Sequence, residues 1–199
     1  MFAIHNPKIN AYAQRNADNF ADTALMVVLS IQQNWYFVGD QLDDVRENKL
    51  DSRFLWGNKR KTYLCLQTHK HFLYSQFMAV VNSNKSDREK AISMMQVFLR
   101  IDGLGLPKAG FLCQLCAGLV GCIDIHNIRM YNIDPKTLTL SKTVKSPAIR
   151  RKRIENYVDL CHTIGTETLW NTWCDFLSTK SKRWVDGNHV SEVHYTFLL

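Results

Sequence analysis

Residues 99–131 read LRIDGLGLPKAGFLCQLCAGLVGCIDIHNIRMY: a glycine-punctuated turn, a mostly apolar helix, then an acid with a histidine two positions later. Upstream, KSDREKAISMMQVFLR opens on a Ser-Asp cap signal and sets Ile92, Met95, Phe98 and Leu99 on one helical face. Downstream, Pro107 suits an early helical position, and Phe111, Leu112, Leu115 and Leu119 continue an apolar stripe. Gly103, Leu104 and Gly105 therefore join two helices in a hairpin, with glycine where the backbone turns tightly. Amides exposed at the start of the second helix can take a phosphate oxygen, aided by the positive end of the helix dipole. Taken alone, the same residues also suit a plain helix C-cap.

The pattern continues outward from this hairpin. DNFADTALMVVLSIQQ, residues 18–33, places Phe20, Leu25, Val28 and Leu29 near helical spacing, which predicts a buried helix ending near Gln33, with Asp18 or Asp22 as its cap. RIENYVDLCHTIGTETLWNTWCDFL predicts two helices broken near Gly165. KTYLCLQ reads as extended or helical, TLTLSKTV as a short strand or loop, and HVSEVHYTFLL alternates like a closing strand. The expected fold is mainly α, with a short C-terminal strand, in a single domain over residues 1–199. Helices within 150–180 are expected to pack back on the rest.

At 199 residues, 46% of them hydrophobic, the chain can bury a core without disulfides or metals to hold it. The N-terminal residues lack the pattern of a signal peptide, and no apolar run reaches the roughly 18 residues of a membrane span, so an intracellular protein away from membranes is expected. Cysteines at 65, 113, 116, 122, 161 and 174 are scattered like buried thiols. Cys113 and Cys116 form a C-x-x-C, but within an apolar helix and with no second pair, which favours core packing over a metal site. His69 with His71, and His189 with His194, likewise lack converging ligands, so no metal is expected.

The net charge of +7 is concentrated in blocks. Ser52 to Ser86 holds no acid against Arg53, Lys59, Arg60, Lys61, Lys70 and Lys85; Lys136 to Ile154 holds none against seven basic residues. Such blocks suit a polyanion, whose phosphates release counterions on being neutralised, and equally suit a solvated surface.

The stretch LRIDGLGLPKA, with Gly103, Leu104, Gly105 and Ala109, followed by CIDIHNIR, with Asp124, His126 and Arg129, resembles the helix-hairpin-helix DNA glycosylases, the superfamily of endonuclease III and the adenine-specific mismatch glycosylases. LMVVLSIQQN resembles that family's opening helix, so the likeness covers about residues 20–131. The resemblance implies a helix-hairpin-helix glycosylase-like fold, and a base excised from double-stranded DNA after it flips from the stack, by a monomer using Asp124 as its catalytic carboxylate. It makes Gly103, Leu104, Gly105, Lys108, Gln32, Gln33 and Arg129 DNA contacts, with His126 ordering the acid's loop. Breaking an N-glycosidic bond develops positive charge on the sugar, and a nearby carboxylate can stabilise that charge or activate a water.

Two departures shape the expectation. Bifunctional members carry a lysine two residues after the second hairpin glycine, where this chain has Pro107; Lys108 comes one residue later, rotated by about 100°. A monofunctional mechanism with Lys108 as a phosphate contact follows, and Pro107 only supports the hairpin. Beyond the acid only Cys161 and Cys174 remain, too few for an iron-sulfur cluster, so no cofactor is expected. Asp124 also suits the N-cap of IHNIRMY, a role compatible with catalysis. Two alternatives stay open: a base-hypermodifying transferase on the same scaffold, of the kind phages use on thymine, and a DNA-binding module without chemistry.

Overall fold

The computed structural model describes residues 7–31, 33, 37–140 and 146–172. Its helices are α1 (Pro7–Arg15), α2 (Ala17–Leu29), α3 (Val38–Asn48), α4 (Asn58–Val81), α5 (Asp87–Phe98), α6 (Leu106–Ala117), α7 (Ile125–Met130) and α8 (Pro147–Ile164), with residues 166–172 again helical. The fold is mainly α, and no strand occurs among the described residues. KTYLCLQ lies inside α4, and the residues of TLTLSKTV that are described form the end of a 3-10 turn and a short irregular segment. The expected closing strand, HVSEVHYTFLL, lies outside the described residues.

The centre of the molecule is α2. Ten of its thirteen residues are buried, which is the pattern of a helix surrounded by others rather than lying on a surface. It packs against α1, α3, α4 and α6, while α5 joins α4, α6 and α8. Phe20 stacks on Phe77 at 5.4 Å and meets Phe98 at 5.8 Å, so three helices share one aromatic cluster. Asn16 rather than Asp18 or Asp22 caps α2, accepting the Asn19 amide at 2.9 Å. Asp22 is occupied instead, pairing with Arg46 of α3 at 2.6 Å.

The helix stops at Leu29, four residues short of Gln33. Ser30 folds its hydroxyl back on the Val27 carbonyl at 2.7 Å, and the Lys59 amine takes the Leu29 carbonyl at 3.0 Å. Those bonds satisfy carbonyls that a continuing helix would have used.

α5 begins with the full capping box, Ser86 and Glu89 exchanging hydrogen bonds. α8 ends at Gly165, where the chain breaks before the next helical turns. Side chains of α1 close the far end of α6: Asn10 donates to the Leu115 carbonyl and Gln14 to the Cys116 carbonyl, the latter at 2.8 Å. Tyr74 of α4 in turn takes the Gln14 carbonyl at 2.6 Å. Trp170 packs on Phe111 with ring centres 6.5 Å apart, which places the described part of the C-terminal segment against α6.

Candidate active site

The hairpin is built against α4. Gly103 has φ +91°, and a Cβ there would lie 2.5 Å from the Thr62 hydroxyl and 3.0 Å from the Asn58 carbonyl. Glycine is thus required twice over, by conformation and by close approach. The Thr62 hydroxyl donates to the Asp102 carbonyl, tying the turn to the first turns of α4. Leu104 is buried, so its side chain belongs to the core while its amide closes the turn on Ile101. Gly105 is different: it is exposed, and a Cβ would meet nothing nearer than the Pro107 ring at 4.0 Å. As N-cap of α6 it supplies no side-chain acceptor to the helix's first amides, and Pro107 occupies the first turn as expected.

Asp124 sits where α6 returns through residues 118–123. The structure holds this loop with side chains from three helices. The Tyr157 hydroxyl donates to the Gly121 carbonyl at 2.9 Å and accepts the Ile123 amide at 3.1 Å. Gln114 accepts the Cys122 amide at 3.2 Å, and Asn127 donates to the Cys122 carbonyl at 2.8 Å. Close approach makes this possible, since a Cβ on Gly110 would lie 2.5 Å from the Tyr157 hydroxyl and 2.7 Å from the Gly121 carbonyl.

At the end of the loop, Asp124 caps α7. Its Oδ1 accepts the amides of His126 and Asn127 at 2.9 and 3.0 Å. Oδ2 takes no donor among the described residues, and the side chain is half-buried. One oxygen therefore orients the carboxylate, while the other is left without a donor among the described residues. His126 lends its backbone to that cap; Arg129 stands exposed in the last turn of α7. Asn127 is fully buried, and its Oδ1 has no hydrogen-bond partner among the described residues.

Lys108 turns inward instead of projecting from the hairpin. Its amine donates to the Ser30 hydroxyl at 3.1 Å and lies 5.5 Å from the centre of the Phe111 ring. Burial pushes the Cys122 thiol up to about 12; the Lys108 charge pulls it down and the Asp124 charge pushes it up. Both charges thus act on the same thiol. Gln33 joins at the end of α2, its amide on the Ser30 carbonyl at 3.3 Å and its Oε1 accepting from Gln41 at 3.4 Å. Gln32 lies outside the described residues. The end of α2 and the first turn of α6 accordingly meet, and the acid loop is tied to α6 further along, at Gly110 and Gln114.

Several residues of this region carry no signal in the sequence. Lys59 reads as one more member of a basic block, yet it is 2% exposed, and burial, followed by the nearby Lys108 charge, pushes its amine below the usual lysine range. Thr62, Gln114 and Tyr157 are polar residues on helices whose roles emerge only from their partners across the fold. Cys113, Cys116, Cys122 and Cys161 are free and buried, while His69 and His71 are exposed. Cys174, His189 and His194 lie outside the described residues. Among the described residues no helix is long and apolar enough to cross a membrane. No family model, curated protein or solved structure matches the chain.

Proposed function

We propose that this chain is a DNA-binding enzyme of helix-hairpin-helix glycosylase type, gripping a duplex at the Gly105 end of α6 and cleaving the N-glycosidic bond of a flipped base with Asp124. One observation carries the reading: a single rigid helix references both parts. Gly105 opens α6, and Gly110, about 8 Å along the axis at 1.5 Å per residue, receives the loop that delivers Asp124. The grip and the loop that carries Asp124 are thereby both fixed by α6, an arrangement that suits a base withdrawn from its stack. With proline in the slot of the bifunctional lysine, water activated by Asp124 is the nucleophile, and the abasic product is released uncleaved.

The test compares wild type with Asp124→Asn on duplexes containing different modified bases, using alkali to reveal abasic sites. Asparagine retains the Oδ1 that caps α7 and removes the charge. Excision by wild type, lost in the variant at unchanged duplex affinity, is the expected outcome. Full activity in the variant would remove Asp124 from the chemistry. A mass change of the base without excision selects the transferase, and binding with neither selects a non-catalytic module.

A further inference from the structure

The first turns of α4 and α6 converge on the end of α2, and each brings a lysine there. Lys59 donates to the Leu29 carbonyl at 3.0 Å and Lys108 to the hydroxyl of the next residue, Ser30, at 3.1 Å. Two ammonium groups therefore occupy one small region. Neither lysine is in an ion pair among the described residues, whose ion pairs use Arg46, Lys70, Arg88 and Arg151, although the Asp124 charge acts with that of Lys108 on the Cys122 thiol. The carbonyl end of α2 offers the equivalent of about half a negative charge, well short of the two positive charges beside it.

Donor capacity points the same way. Each ammonium has three N–H groups and one acceptor among the described residues, which leaves two donors on each there. Both helices begin on a glycine, Gly57 and Gly105, and no side chain caps either N-terminus. Space is open at Gly57, where a Cβ would meet nothing within 4 Å. Beside Lys59 lies the Trp56 ring, 48% exposed, with its centre 4.9 Å from the amine. An exposed indole next to two cations that have no ion-pair partner among the described residues offers a stacking surface and an anion site together.

We infer that Lys59, Lys108 and Trp56 form a binding site for a nucleotide phosphate monoester, its dianionic phosphate held between the two amines and its base against the indole. A monoester carries close to two negative charges at neutral pH and matches the two cations, whereas a phosphodiester carries one. The ligand is either a free nucleotide or the phosphorylated end of a DNA strand. This site adjoins the grip at Gly105 and requires no excision chemistry.

Calorimetry at constant ionic strength with thymidine monophosphate, inorganic phosphate, dimethyl phosphate and thymidine tests the assignment. Wild type should bind the monophosphate at least about tenfold more tightly than the diester or the nucleoside, and Lys59→Met and Lys108→Met should each lower that affinity about tenfold or more. Trp56→Leu should erase the preference for nucleotide over inorganic phosphate. Preference for a duplex bearing a 5′-phosphate over one bearing a 5′-hydroxyl identifies a strand end as the source; equal duplex affinities beside tight monophosphate binding identify the free nucleotide. Lys59→Met that lowers the melting temperature equally with and without phosphate, at unchanged phosphate affinity, would reduce the lysine to a cap of α2 and overturn the inference. Should that variant not fold, unchanged affinity in Lys108→Met overturns it as well, as does monophosphate binding no tighter than that of chloride.

Discussion

Removing one oxygen, in Tyr157→Phe, should loosen the loop that carries Asp124. The ring is 1% exposed and its hydroxyl serves both the Gly121 carbonyl and the Ile123 amide. Phenylalanine keeps the ring packing and leaves both backbone groups buried without that partner, at about 1–3 kcal/mol each. The Cys161 thiol, 3.6 Å from the Gly121 carbonyl, offsets a little of the loss. The expected destabilisation is about 2–4 kcal/mol, less than a typical domain's total stability, so the variant still folds. For a chain of this size that corresponds to a melting temperature lower by roughly 4–16 °C. Urea denaturation measures the energy, and amide exchange at Ile123 locates it. Tyr131→Phe is the control: its hydroxyl meets Thr172 at 2.8 Å in a half-buried site, and its loss should cost under about 1 kcal/mol. A change below about 0.5 kcal/mol in Tyr157→Phe, or equal effects of the two substitutions, would refute the claim that this phenol holds the loop.

The two hairpin glycines should part company: Gly103→Ala, at φ +91° and 2.5 Å from Thr62, should lower the unfolding free energy measurably, whereas Gly105→Ala should leave the urea midpoint unchanged and weaken duplex binding. Equal stability losses would contradict the geometry. Alkali should destabilise the fold, because burial pushes the thiols of Cys113, Cys116, Cys122 and Cys161 upward, the last two to about 12. The unfolded chain then releases these protons first, so stability is full below about pH 9 and falls above it, by about 1.4 kcal/mol per thiol per pH unit. Urea midpoints from pH 8 to 10 give the slope, and Cys122→Ala should reduce it by one proton; a flat profile would oppose this account.

Local signals made the central helices legible in the sequence. The capping box at Ser86, the proline early in α6 and the break at Gly165 each act through neighbours a few residues away, and each occurs in the structure. α4 was ambiguous because its buried residues, among them Tyr63, Leu66, Leu73 and Phe77, are interleaved with lysines and histidines, so a short window such as KTYLCLQ shows no clear period. Charge was misleading for a related reason. The block from Ser52 to Ser86 contains no acid, yet Lys70 pairs with Asp18 across the fold and Lys59 is buried at the end of α2. Asp124 could be singled out by its setting after an apolar run, and its cap on α7 could be anticipated. The contacts that aim it, from Gln114 and Tyr157, join residues 8 and 34–36 positions apart and depend on tertiary packing.

The closure of α6 by α1 bears on how the chain is made. Asn10 and Gln14 find their carbonyl partners roughly 100 residues later in the sequence. At about 5–20 residues per second, the first helix leaves the ribosome roughly 5–20 s before its partner has been synthesised. A nine-residue helix is marginal on its own in water, so during that interval Pro7–Arg15 has little to keep it wound. Until α6 emerges, the apolar surface of α2 that α6 will cover stays open to other contacts, which makes the order of synthesis a point of vulnerability for this fold.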